Sequence, residues 1–118
     1  MKEIDQPTWF TEVTCSRTPV AVNFYAEWSP SSAEVEMILE KYENSLAGRM
    51  KFVKMNIDKN EDLRISQRII TVPTLIIYYK GIPVIGAPGP QPEHVYESKI
   101  NRAVRLYENR LRKKVSWR

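Results

Sequence analysis

The chain of 118 residues has one cysteine, Cys15, and one histidine, His94. A lone cysteine cannot close a disulfide within the chain, and the Cys/His clusters of a structural zinc site are excluded with it, so no metal or cofactor is expected. Long apolar runs are also missing. The longest, Val20 to Ala26 and Val72 to Tyr79, fall far below the roughly 20 residues of a membrane span, and Met1 to Pro7 is polar rather than the core of a signal peptide. No membrane partner is expected, and the cytoplasm is the default location. Acidic residues are scarce in one stretch: residues 102–118 carry 7 Lys and Arg against 1 acid, whereas residues 1–101 carry 11 against 13. The net charge of +4 therefore belongs to a C-terminal tail. A basic helix end is ordinarily a solvated face favoured by the helix dipole, and nucleic acid is not expected as a partner. The length allows one soluble domain and leaves no room for a second core.

Within that domain the hydrophobic spacing alternates between helix and strand. Thr8 is a candidate N-cap for a short helix to Thr14 that places Trp9, Phe10 and Val13 on one face. Val20 to Ala26 is a β-branched and aromatic run with one polar interior residue, Asn23, and predicts a buried strand. From Ser32 to about Leu46 the apolar residues Val35, Ile38, Leu39 and Tyr42 recur at helical spacing, with Gly48 as a stop. Lys51 to Asp58 alternates as a strand with one polar-leaning face, and Asn60 to Arg68 reads as a short helix. Thr71 to Lys80 is a second buried strand that opens at Pro73 and closes at a Lys80-Gly81 turn, with a last strand within Ile82 to Ala87. From Pro92 on, Ile100, Ala103, Val104, Tyr107, Leu111 and Val115 keep helical spacing, which predicts a long closing helix. The order of elements points to an α/β, three-layer sandwich with a mixed sheet.

At Val22 to Ser32 the string V-N-F-Y-A-E-W-S-P-S-S resembles the active-site strand and loop of the thioredoxin family, whose pattern is V-D-F-W-A-E-W-C-G-P-C. Lys54 to Asp58 is similar to that family's K-L-N-I-D, Val72-Pro73-Thr74 stands where it has Ile-Pro-Thr, and Gly81 and Gly89 match two of its glycines. From Trp9 to about Leu106 the patterns align without a gap. The resemblance implies a thioredoxin fold, an α/β/α sandwich around a mixed sheet of four to five strands, over residues 1–106. Residues 107–118 are then a basic extension of the last helix. It also implies a cis bond at Pro73, which the residues alone would read as an ordinary strand-start proline. Trp28, Pro30, Val72, Pro73 and Gly89 become the residues that hold an extended peptide.

The departures from the pattern bear on function. Thiol-disulfide exchange needs an attacking thiolate and a second, resolving thiol, and those two catalytic positions hold Ser29 and Ser32. A serine hydroxyl forms no sulfur-sulfur intermediate and is not ionised at neutral pH. The family's buried acid corresponds to Asn23, which cannot titrate, although its usual neighbour Lys54 is present. A hydrolytic serine would need a base, and His94 is expected at the start of the last helix, away from the loop. Without such roles Ser32 reads as a helix N-cap, Ser29 to Ser31 as ordinary loop, and Cys15 as a peripheral structural thiol.

Two accounts of the serines follow. In one, the chain keeps the peptide groove without redox chemistry and is a binding module for a client protein or extended segment. In the other, Ser29 and Ser32 replace the cysteines of a parent W-C-P-S-C motif, and the parent is a disulfide oxidoreductase of cell redox homeostasis. The tail leaves its own alternatives: the stripe continued by Tyr107, Leu111 and Val115 packs on the protein itself, the extra turns bury Leu111, Val115 or Trp117 against a second chain or a partner, or the basic residues from Arg102 to Arg118 meet an anionic partner.

Overall fold

The computed structural model describes residues 1–116, with side chains through Lys113. The alternating apolar runs become a five-stranded sheet: β1 (Lys2–Glu3), β2 (Val20–Tyr25), β3 (Lys51–Asn56), β4 (Thr74–Tyr79) and β5 (Ile82–Pro88). Their order is β1-β3-β2-β4-β5, with β1, β3 and β2 parallel and β4 and β5 antiparallel to their neighbours. The helices are α1 (Pro30–Ser45), α2 (Glu61–Ser66) and α3 (Glu93–Ser116).

Strand alternation divides the core between the two faces of the sheet. Ala21, Phe52, Leu75 and Ile77 point to one face and pack with Val35 and Leu39 of α1 and Tyr96, Ile100 and Val104 of α3. Val22, Phe24, Val53 and Tyr78 point to the other, where Val13 and the half-buried Trp9 and Leu63 cover them. The Trp9 ring meets Tyr78 edge-on at 5.0 Å. The result is the three-layer α/β/α arrangement with a mixed sheet. No helix of the described residues is long and apolar enough to cross a membrane.

Several local expectations need correction. Asp5, not Thr8, caps the first helical segment: its carboxylate accepts from the Thr8 backbone, while the Thr8 hydroxyl accepts from the Asp5 backbone. That segment is a 3-10 turn at Gln6–Thr8 followed by a π-helical turn at Phe10–Thr14, closed by the Cys15 amide on the Phe10 carbonyl at 2.9 Å. Phe10 is exposed, and only Val13 of that stretch is buried. β1 escaped sequence reading because it has two exposed residues and no period; Ile4 just beyond it is the buried anchor. The face of β3 expected to lean polar is covered, since Phe52 and Asn56 are both buried. Strand β4 starts at Thr74, after Pro73, because proline has no amide for the ladder.

The Lys80-Gly81 turn is a two-residue hairpin between the paired Tyr79 and Ile82, and both turn residues have positive φ, 53° and 82°. Glycine is required at the second position on two counts. Its φ is left-handed, and a Cβ there would lie 2.9 Å from the Thr14 hydroxyl oxygen. Helix α3 has 24 residues and thus a length of about 36 Å. Its core contacts end at Val104; Leu106 and Leu111 are exposed, and Tyr107 sets its ring against Tyr79 at 5.7 Å. The side chains of Val115 and Trp117 lie outside the described residues.

Candidate functional site

The loop after β2 owes its shape to the change from strand to helix. Ala26 leaves the sheet buried, the Ser29 amide donates to the Ala26 carbonyl at 3.2 Å, and Pro30 opens α1 at a position where its missing amide costs nothing. Ser29 is therefore the N-cap residue, without a side-chain capping bond, and Ser32, expected as the cap, lies inside the first turn. The Ser32 amide donates to the Ser29 carbonyl at 3.1 Å, and its hydroxyl accepts from the Ala26 amide at 3.4 Å. Both serines are buried, Ser29 at 8% exposure and Ser32 at 2%. Ser32 is thus committed to closing the loop.

Trp28 stands out from this loop at 68% exposure, and its indole N–H donates to Asp58 Oδ2 at 2.9 Å. Asp58 is held in turn by its own amide, which donates to Asn56 Oδ1 at 2.8 Å. The sequence marks Asp58 only as the end of the Lys54 to Asp58 match; its bond to Trp28 spans 30 residues and no local spacing shows it.

The second wall comes from the turn into β4. Phe24 opposes Thr74 in the antiparallel register, which places Pro73 beside the end of β2, where the Trp28 loop departs. The Val72–Pro73 bond is cis. Thr74 fixes the turn by donating its hydroxyl to the Thr71 carbonyl at 2.6 Å. The ladder between β4 and β5 begins at Thr74 and Pro88, so the backbone of Val72 lies outside it, with Gly89 across the turn. A Cβ on Gly89 would come within 4.0 Å of the Thr71 hydroxyl. Ile70, just before this turn, is 91% exposed. Trp28, Pro30, Val72, Pro73 and Gly89 therefore gather at one end of the sheet.

Beneath the loop, Asn23 is fully buried and neither its Oδ1 nor its Nδ2 has a hydrogen-bond partner. It pairs in register with Lys54 on one side and Leu75 on the other. Lys54 does not serve it: the ammonium donates to both carboxylate oxygens of Glu36 on α1, at 3.0 and 3.1 Å, and lies 5.3 Å from the centre of the Tyr25 ring. Glu36 is the second site residue that spacing alone did not reveal. Burial first, and then the acceptor Glu3, push the Tyr25 phenol up to about 12, so it stays neutral beside Lys54. His94, on the first turn of α3, is exposed and belongs to a different element from the loop. Cys15, expected as a peripheral structural thiol, is exposed. It precedes β2, whereas the serine loop follows it, so the two lie toward opposite ends of the strand.

A mixed sheet with a strand-loop-helix unit facing a cis-proline turn thus frames Ser29 and Ser32. The chain belongs to the thioredoxin family: the family model Thioredoxin matches residues 1–102. It is similar to Thioredoxin from Porphyra purpurea, 31% identical over 108 residues that cover 88% of this chain and 97% of that protein. Thioredoxin C-2 from Corynebacterium nephridii is 31% identical over 79% of this chain and 86% of its own length. Thioredoxin M3, chloroplastic, from Oryza sativa subsp. japonica is 28% identical over 87% of this chain, which spans only 59% of that relative.

Proposed function

We propose that the chain is a peptide-binding module on a thioredoxin scaffold that does not exchange disulfides. The observation that carries the reading is serine at both positions 29 and 32, with the sole cysteine at the other end of β2. Exchange proceeds by thiolate attack on a disulfide sulfur and release through a mixed disulfide, and a hydroxyl supports neither step. Asn23 also supplies no titrating group beneath the loop. What remains is suited to binding. Trp28 and Ile70 expose apolar surface on either side of the loop and turn, and the Val72 backbone outside the ladder offers an edge for an added strand. The client is an extended protein segment with an apolar side chain for the Trp28 face.

The test pairs chemistry with binding. With a thiol reductant present, insulin reduction should run at the uncatalysed rate, and peptides selected on the chain from a random display library should lose about tenfold or more affinity in Trp28→Ala. Turnover by the unaltered chain would refute the redox-inactive reading. Selected peptides indifferent to Trp28 would refute the binding site. The double variant Ser29→Cys with Ser32→Cys should form a disulfide under air and gain insulin-reducing activity, as an oxidoreductase parent would have. Its failure to oxidise would mean that the loop no longer meets the narrow geometry of that bond.

A further inference from the structure

At the far end of β4 from Pro73, the last turns of α3, strand β5 and Pro19 line a groove of about 570 Å³. Tyr79, Val84, Leu106 and Tyr107 form its apolar walls. Val84 and Leu106, 48% and 52% exposed, both line the groove and so present their apolar surface to the same space. The sheet contributes deliberately to this arrangement. Ile77 pairs with Ile85 but Tyr78 pairs with Pro83, so Val84 is the extra residue of a β-bulge. A bulge re-aims the side chain at its centre, and this one turns a β-branched residue into the groove. The same edge is poorly suited to strand addition, because Pro83 has no amide to offer.

The rim is cationic. Lys80 and Arg110 lie 5.4 and 5.2 Å from the centre of the Tyr79 ring, and Arg112 donates to Asn109 Oδ1 at 2.7 Å. None of these three has a carboxylate partner among the described residues. The one acid of the tail, Glu108, is taken up by Arg49 through two hydrogen bonds of 3.1 and 3.2 Å. Ring contacts fix the direction of two of the cations without neutralising them.

We propose that this groove docks an acidic amphipathic segment of a partner protein, with an aliphatic or aromatic anchor between Val84 and Leu106 and flanking Asp or Glu against Lys80, Arg110 and Arg112. The charge of the rim calls for an acidic partner, and the apolar walls call for a side chain rather than a phosphate. A base would need a free aromatic face, but the Tyr79 ring is already met by Tyr107, Lys80 and Arg110. The concave shape likewise suits an inserted side chain better than a lipid surface. This proposal stands independently of the Trp28 site.

The test uses the whole chain and a random dodecapeptide display library, followed by affinity measurements on resynthesised peptides. Enriched peptides should carry Asp or Glu around Leu, Phe or Trp and weaken as salt is raised. They should lose about tenfold or more affinity in each of the surface variants Leu106→Glu and Arg110→Glu. Met37→Ser, which removes an even more exposed apolar side chain from α1, should leave that affinity unchanged. Circular dichroism should show all three variants folded. Enrichment of nothing, or only of peptides lacking acids or indifferent to both groove variants, overturns the proposal. So does binding of oligothymidylate or phosphatidylserine vesicles through Arg110 with no groove-dependent peptide, or a concentration-dependent dimer that Leu106→Glu abolishes.

Discussion

Asn23 and Lys54 face each other across two strands, yet the ammonium turns away to Glu36 and leaves the amide buried without a partner. The family pattern has an acid at this position, and the surroundings here explain what an acid would meet. A carboxyl at full burial, with its nearest cation already bound to Glu36, ionises above its ordinary range. In Asn23→Asp the unfolded chain would then ionise first, near pH 4, while the folded chain still holds the proton. The stability of the variant should match that of the unaltered chain below pH 4 and fall as pH rises from there to the folded-state value. Each pH unit by which burial raises that carboxyl costs about 1.4 kcal/mol at higher pH. Denaturant titrations of both chains at acidic and alkaline pH check this. A variant equally stable at both would show that Lys54 swings over and pairs with the new acid. The identity of residue 23 was plain in the sequence, as was serine at 29 and 32. The lone state of its amide was not, because it depends on Glu36 reaching Lys54 from a helix 18 residues away.

Elements were legible where side-chain period and local chemistry agree. β2 and β4 announce themselves as β-branched runs buried on both faces, and α3 by its stripe through Ile100, Ala103 and Val104. The first helix was misread at its cap because Asp5 and Thr8 both have capping side chains and stand three residues apart; only the geometry decides which one leads. The Lys80-Gly81 hairpin shows how a legible turn acquires a contact that is not legible. Its glycine is required by φ, but the Thr14 side chain beneath it comes from the π-helical turn on another layer. Gly81→Ala should therefore lose about 1–3 kcal/mol, the range for a non-glycine residue held in the left-handed region, with the Thr14 contact adding to it. Adding Thr14→Ala should return part of that loss in a thermal or chemical unfolding cycle. Equal losses with and without Thr14 would assign the whole effect to the backbone.

The molecule as a whole is built asymmetrically, with the basic tail continuing a helix whose core contacts stop at Val104. Truncation after Tyr107 removes Arg110 from the Tyr79 ring and Glu108 from Arg49, both exposed interactions that together contribute on the order of 1 kcal/mol. The shortened chain should stay folded and lose no more than about 8 °C in Tm. Collapse of the fold would instead place the tail within the core. Between the cis-proline turn and the Tyr79 end runs a single six-residue strand, β4, so the two surfaces at its ends are held roughly 17 Å apart by paired backbone on both sides. That strand acts as a ruler. A polypeptide that touches both ends must carry at least about five extended residues between its two anchors, which sets a minimum span for any client served by the whole molecule. If a client carries two segments on one short flexible tether, binding of the first at one end would present the second to the other end at an effective concentration in the millimolar range.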